Sequence, residues 1–360
     1  MSIRMKDIAR ELGVSVVTVS KALRDHPDIS AETKERIRKL VKELHYQPNW
    51  AARSLVTGRS YTIGLVVPTL IHPFFAEASR AISTKVRPRG YNLVIASSEE
   101  DPKVEQQEIE HLLSRQVDAF IIASVQQSFF ETHLQIRSRN VPYVLIDRKF
   151  DGLQTSYVGA DDDSIGRLAT EHLVECGCRR IAHIYGPAIS TGTGRLRGYK
   201  RALEKHGLET MPEYLVVGRF SDTKAEASGY NAMRHLLGLK RRPDGVFCFN
   251  DPIAMGAMRA ILDAGLRIPK DIAIVGAGNL EYDPLLRVPL SSVDQGTSLL
   301  GARAAKLALE LIEADGNTQP RTIVLPCRVM ARESSLKGKN SRTSVKRQRS
   351  NSRRPLKTGK

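Results

Sequence analysis

The chain is poor in cysteine, tryptophan and aromatic residues generally. Of 360 residues four are Cys and one is Trp, and the aromatics make up 6%. Cys176 and Cys178 stand two apart, while Cys248 and Cys327 are isolated. With no Cys-x-x-Cys pair for zinc or thiol exchange, free thiols are expected. No apolar run reaches the length of a membrane span. Met1-Ser2-Ile3-Arg4-Met5-Lys6-Asp7 enters a helical pattern without an apolar signal region, which reads as a cytoplasmic protein. Also missing are HExxH, GxSxG and a Walker lysine, and the histidines are scattered. An enzyme needs a nucleophile, metal or cofactor constellation. None stands out, so no catalytic residue, metal or cofactor is expected. Satisfied surface or core histidines are the default reading of His72, His111, His133, His172, His183, His206 and His235.

What is present in excess is positive charge, and it is unevenly placed. The net charge is +16. Residues 1–60 hold 12 Lys/Arg against 7 Asp/Glu, and residues 337–360 hold 10 Lys/Arg and no acid. The long middle is therefore close to neutral. Basic ends on a neutral body point to a polyanion met at the termini. Residues 337–360 are Ser, Lys, Arg and Asn with almost nothing apolar, so a disordered basic tail is expected. It is either a solvated tail or a source of non-specific phosphate contact.

Residues 1–47 read as a three-helix headpiece. Ile8, Ala9 and Leu12 recur at helical spacing, Gly13 stops the pattern, and Ser15 follows as an N-cap. Val19, Ala22 and Leu23 give the apolar side of the second helix. Ser30 caps a third, faced by Ile37, Leu40, Val41 and Leu44, which ends before Pro48. Helix, Gly-containing turn and Ser-capped helix form a helix-turn-helix signature; a plain protein-binding bundle is the rival. In the DNA-binding reading the second helix enters the major groove. Val16, Val17 and Lys21 are then the base contacts, Lys21 as a donor to guanine and the valines against thymine methyls. Ser15, Thr18 and Ser20 are the phosphate contacts.

Residues 48–60 follow as a hinge helix and linker. Asn49 can cap a helix, Ala52, Arg53, Ser54 and Leu55 continue it, and Gly58 can end it. About two turns of helix are marginal in water without a packing partner. The stretch is either a linker or a conformational coupler. From residue 61 short apolar runs alternate with helical stretches. The runs are Ile63–Pro68, Tyr91–Ser97, Ala119–Ser124, Tyr143–Asp147, Ile181–Tyr185, Gly245–Cys248 and Ile272–Gly276. Between and after them lie helical stretches at 74–88, 102–116, 128–139, 164–176, 193–207, 223–238, 252–265 and 297–315. This is the pattern of doubly wound parallel α/β sheets, long enough for two subdomains. Ligands bind such sheets in the crevice at the strand C-termini.

Met5-Lys6-Asp7-Ile8-Ala9, Gly13-Val14-Ser15, Thr18-Val19-Ser20, Tyr46-x-Pro48-Asn49, Ala52-Arg53-Ser54-Leu55 and Thr62-Ile63-Gly64-Leu65-Val66-Val67-Pro68 occur in order. Together they resemble the LacI/GalR family of bacterial repressors, to about residue 335. The resemblance implies a homodimer on a pseudo-palindromic operator, a small-molecule effector such as a sugar or related metabolite, and no membrane. It implies a core of periplasmic-binding-protein type whose chain crosses between subdomains near 158, 288 and 320. The subdomains are then 61–158 with 288–320 and 159–287 with 321–336. It makes Leu55 a minor-groove wedge in a hinge helix that orders on DNA. Arg4 departs from the family's usual capping Thr, so the first helix is expected to fray.

Effector candidates follow the strand ends. Phe74 and Phe75 can stack on a ring, or simply pack. The run Asp161-Asp162-Asp163 offers one cleft carboxylate, and Asp161 is taken as the candidate. By resemblance Thr191 and Arg195 bond the effector, Phe220 is a pocket aromatic and Asn250 a ligand-facing amide. Gly276-Ala277-Gly278-Asn279 departs from the family, because Gly278 replaces a usual Asp. Asn279 is the substitute candidate. That departure keeps open an effector-independent regulator; a solute-binding receptor is the other alternative, though it has no use for residues 1–58.

Overall fold

The computed structural model describes residues 3–23, 25–46, 57–150, 152–218, 225–314 and 318–336. The expectations for Asn49, Ala52, Arg53, Ser54, Leu55, Phe220 and the tail 337–360 lie outside the described residues. The chain divides into two compact units, Met1–Ser60 and Tyr61–Lys360.

The first unit holds α1 (Met5–Leu12), α2 (Val16–Leu23) and α3 (Ala31–Glu43). Gly13 ends α1 at φ +66°, a conformation that glycine adopts without Cβ strain. The Ser15 hydroxyl accepts from the Thr18 N–H at 3.0 Å and caps α2. Ser30 caps α3 through Thr33 N–H. Ile8, Ala9, Val19, Ala22, Ile37, Leu40 and Tyr46 close over one another as a small core. Each fully buried aliphatic side chain there contributes about 1.5–3 kcal/mol. The expected fraying of α1 meets a local answer. Asp7 accepts from the Arg4 backbone N–H at 2.9 Å, which supplies half of a capping box without a capping Thr.

The second unit carries two six-stranded sheets. Its elements in order are β1 (Thr62–Val67), α4 (Pro73–Val86), β2 (Asn92–Ser97), α5 (Pro102–Ser114), β3 (Ala119–Ile122), α6 (Phe130–Ser138), β4 (Tyr143–Ile146) and β5 (Ser156–Ala160). Then come α7 (Asp162–Glu175), β6 (Ile181–Tyr185), α8 (Ser190–Lys205), β7 (Leu215–Val217), α9 (Ala225–Leu237), β8 (Gly245–Cys248), α10 (Asp251–Asp263) and β9 (Ala273–Gly278). The chain ends with β10 (Ser291–Asp294), α11 (Thr297–Glu313), β11 (Thr322–Leu325) and β12 (Arg328–Met330). The first sheet runs β11-β5-β4-β3-β1-β2, all parallel. The second runs β12-β10-β9-β8-β6-β7, parallel except for β12 against β10. β3, β4, β8 and β9 are nearly all apolar because helices cover both faces. Residues of α4 and α11 pack on one face of the first sheet, and those of α5 and α6 on the other. In the second sheet α9 and α10 take one face, and α7 and α8 the other.

The subdomain crossings fall later than expected. β5 stays in the first sheet to Ala160, β10 stays in the second to Asp294, and β11 and β12 divide at 326–327. The expected boundaries near 158, 288 and 320 are corrected accordingly. For the crossing after β10 the reason is polar strand content. Ser291 and Ser292 are fully buried in β10 because hydroxyl partners satisfy them, Arg332 O and Ser335 for one and Asp251 for the other. An apolar-run reading passes over such a strand.

Candidate functional site

Seven strand ends converge on one cavity between the two sheets. After β1 come His72, Phe74 and Phe75; after β2, Glu100; after β4, Asp147 and Arg148. From the other subdomain come Pro187, Ile189, Thr191 and Arg195 after β6, and Phe249 and Asn250 after β8. Ala277 and Gly278 close β9, and Gln295 follows β10. Doubly wound sheets present loops, and therefore sites, at this end. The cavity holds about 60 Å³ for water-sized spheres, room for a few waters.

Two arginines organise it. Arg195, 3% exposed, projects from the first turns of α8. Its Nε donates to Asp162 at 3.0 Å, Nη1 to the Phe249 carbonyl at 2.6 Å and Nη2 to Gln295 at 3.0 Å. The guanidinium lies 4.4 Å from the centre of the Phe249 ring, a cation–π distance. In the opposite subdomain Arg148 donates to Glu100 at 3.1 Å and to the Ser124 carbonyl at 3.2 Å. Burial pushes Asp162 up to about 6 despite the opposing Arg195 charge. Asp147 is raised by burial as well. Burial, and then the Arg195 charge, push His72 down to about 4, so its ring is neutral. Phe74 and Phe75 meet edge-to-face at 5.1 Å and form an apolar wall.

Of the expected effector residues, Phe74, Phe75, Thr191, Arg195 and Asn250 line this cavity together. Two expectations are corrected. Asp161 caps α7 instead, accepting from the Ser164 N–H at 3.1 Å and its hydroxyl at 2.7 Å, and it is not among the lining residues. A helix start consumes this carboxylate, and Asp162 is the one that reaches Arg195. Asn279 is also absent from the lining. Gly278, at φ +145°, turns the chain so that the Asn279 amide oxygen accepts from Arg332. A Cβ at 278 would stand 2.6 Å from the Asp251 carboxylate, so the backbone here admits only glycine. Asp251 is fully buried, bonded by the Ser292 hydroxyl and Leu280 N–H.

His72, a satisfied histidine in that its Nδ1 accepts from the Phe74 N–H, also lines the cavity. Glu100, Asp147, Arg148, Phe249 and Gln295 were not expected. Asp147 ends the run Tyr143–Asp147 and Arg148 follows it, so the strand-end rule applied there finds them. Gln295 follows a strand whose apolar signal is weak.

In the headpiece Val16 and Val17 are 43% and 63% exposed. Ser15 is exposed as well. Thr18 and Ser20 are half-buried beside them. Lys21 is engaged within the unit, its Nζ 2.9 Å from Asp28. The Lys21 hydrogen bond holds Asp28 below its ordinary range. Among the described residues no His/Cys/Asp/Glu cluster suits a metal, and no helix is long and apolar enough to cross a membrane.

A helix-turn-helix headpiece with an exposed second helix, and a two-sheet core with a cavity at its facing strand ends, define a ligand-responsive DNA-binding regulator. The bacterial regulatory proteins of the lacI family match residues 4–49, and a periplasmic binding protein-like domain matches residues 170–335. The ribose operon repressor of Haemophilus influenzae is 35% identical over 92% of this chain and 98% of its own. The Lac repressor dimer bound to operator and the anti-inducer ONPF has a TM-score of 0.82 at 25% identity, covering 94% of this chain and 100% of that one. The complex of the transcriptional regulator CelR with cellobiose has a TM-score of 0.70 at 30% identity, over 92% and 99%. The chain belongs to the lacI family and is a ligand-responsive transcriptional repressor.

Proposed function

We propose that the cleft takes a neutral, polyhydroxylated effector of the sugar class, and that its occupancy sets how a homodimer holds a pseudo-palindromic operator. The observation that carries this reading is the pairing of both cavity arginines. Arg195 and Arg148 each already face a carboxylate, Asp162 and Glu100. An anionic ligand would have to compete for guanidinium groups already neutralised. Hydroxyls instead find both donors and acceptors there, with Phe74 and Phe75 to face the C–H side of a ring. The names of two relatives, a ribose operon repressor and a regulator complexed with cellobiose, agree with this class. Admission of a sugar to so small a cavity requires the subdomains to part, and the ligand then favours whichever arrangement it fits better.

On DNA, α2 enters the major groove with Val16, Val17 and Lys21 at base edges, and Ser15, Thr18 and Ser20 at phosphates. Residues 49–55 act as the coupler, Asn49 capping and Leu55 wedging the minor groove. Such a protein works by binding rather than catalysis, in the cytoplasm where its operator lies. The test selects operators from random DNA with the full chain, then titrates D-ribose and cellobiose against the selected site. At least a tenfold change in operator affinity with one of them is expected. A palindrome bound equally with and without either sugar would overturn the sugar reading.

A further inference from the structure

We propose that His72 and Asn250 form a two-donor clamp for one acceptor oxygen of the effector, an ether, carbonyl or hydroxyl oxygen, and that this oxygen ties the two subdomains together. The proposal rests on the reading of the cleft as an effector site. Its origin lies in two helix caps. His72 caps α4, and its Nδ1 accepts from the Phe74 N–H at 3.2 Å. A neutral ring that accepts at Nδ1 carries its proton on Nε2. Asn250 caps α10, and its Oδ1 accepts from the Ile253 N–H at 3.0 Å. The cap fixes the amide orientation and leaves Nδ2–H to face the other way.

Those two free ends meet across the cleft. His72 Nε2 and Asn250 Nδ2 are 3.2 Å apart. In the tautomer that the Phe74 cap selects, both carry hydrogen, and neither has a lone pair to offer. Moving the ring proton to Nδ1, or turning the amide over, would cure the opposition only by setting a donor against a helix N-terminal N–H. Protonating His72 makes matters worse, since the new Nδ1–H would confront Phe74 N–H. The Arg195 and Arg148 charges oppose that protonation, and Glu100 favours it more weakly than Arg195 disfavours it. An oxygen with two lone pairs, placed between the nitrogens, satisfies both at once. A ligand ammonium or amide N–H cannot. Because one donor belongs to each subdomain, the oxygen that relieves the opposition also favours the closed arrangement.

The clamp is testable without knowing the effector. Asn250→Asp keeps a helix-capping acceptor, since Asp caps as well as Asn. It also replaces one opposing donor with an acceptor of the same reach, so the two caps bond each other directly. On a His72→Asn background the ring Nε2–H is gone and the same change finds no partner. In the ligand-free full chain, Asn250→Asp should melt about 2–4 °C above wild type, whereas on the His72→Asn background it gains nothing. Adding D-ribose should raise the melting temperature of wild type but not of Asn250→Asp. Asn250→Asp variants that melt at or below wild type overturn the clamp. Where they fold too poorly to compare, nitrogen-15 NMR of the wild-type ring decides: an Nε2–H tautomer is expected, and an Nδ1–H tautomer overturns the proposal. A wild type that responds to neither D-ribose nor cellobiose counts against the sugar reading alone, because the ligand-free melting contrast still decides the clamp.

Discussion

In the headpiece, the side chains that hold the fold and those turned outward are different residues. Ile8, Val19 and Ile37 are fully buried, while Val16 and Val17, on the same helix as Val19, stand in solvent. In the cleft the two tasks fall on the same side chains. Arg195 joins α8 to Asp162, to the end of β8 and to Gln295, and it is also the donor fork that faces the cavity. The headpiece can therefore change what it reads without refolding. The cleft cannot change its ligand without reworking contacts that hold α8 to α7 and to the ends of β8 and β10.

The largest test of that contrast is Arg195→Met. It removes the fork and leaves Asp162, whose side chain is 12% exposed, without its cation. Breaking a buried pair from one side costs about 3–5 kcal/mol. Urea denaturation of the full chain should show that loss, and calorimetry should show D-ribose binding gone. Unchanged stability would mean that Arg195 serves the ligand only. The headpiece counterpart is Ile8→Ala, where a fully buried side chain is truncated at about 2–5 kcal/mol. Operator binding should vanish while the core keeps its melting transition and its sugar response, because each unit has its own core. A core transition that shifts with it would refute independent units.

The same contrast explains what could be read from sequence. The three headpiece helices stand where Gly13, Ser15 and Ser30 place them, because caps and one apolar face decide such small helices. All eight core helical stretches appear, and so do the seven apolar strands. The strands β5, β7, β10, β11 and β12 escaped the apolar-run rule. They are short, lie at or near sheet edges, or bury serines that hydrogen bonds satisfy. In the cleft, family resemblance put forward Thr191, Arg195 and Asn250, and all three line the cavity. Asp161 and Asn279 do not line it, because a helix cap and Arg332 claim their side chains. Periodicity carries no information about which of two adjacent carboxylates a cap will consume.

A smaller effect concerns acid. His72 is held near 4 in the folded chain against about 6.5 unfolded. The unfolded chain takes up the proton first, so this contribution to stability is lost as pH falls from 6.5 and levels off below 4. Asp162 runs the other way. Its folded value, raised to about 6, gives stability that is complete below its unfolded value and is lost as pH rises through 6. The two nearly cancel in wild type. His72→Asn removes one of them, so between pH 7 and about pH 4.5 the variant should gain roughly 2–3 kcal/mol relative to wild type. Parallel pH profiles for the two proteins would count against a buried neutral His72.

The smallest effect lies on the headpiece surface, where the separation of tasks is least complete. Lys21 is the proposed base contact, yet its Nζ is 2.9 Å from Asp28 in the turn before α3. To reach a guanine the ammonium must leave or share that carboxylate, and the exposed pair is weak enough to permit it. Lys21→Ala should cost about 1–3 kcal/mol of discrimination at one half-site position, measured by competition among operators differing at single bases. Equal weakening on every sequence, with a smaller salt slope, would make Lys21 a phosphate contact. Asp28→Asn separates the two roles further. It frees the ammonium without removing it, so affinity for the selected operator should rise modestly while base preference at that position is kept. If Asp28→Asn instead weakens operator binding, the ion pair orients Lys21 for the groove, and the headpiece uses one contact for fold and function much as the cleft does.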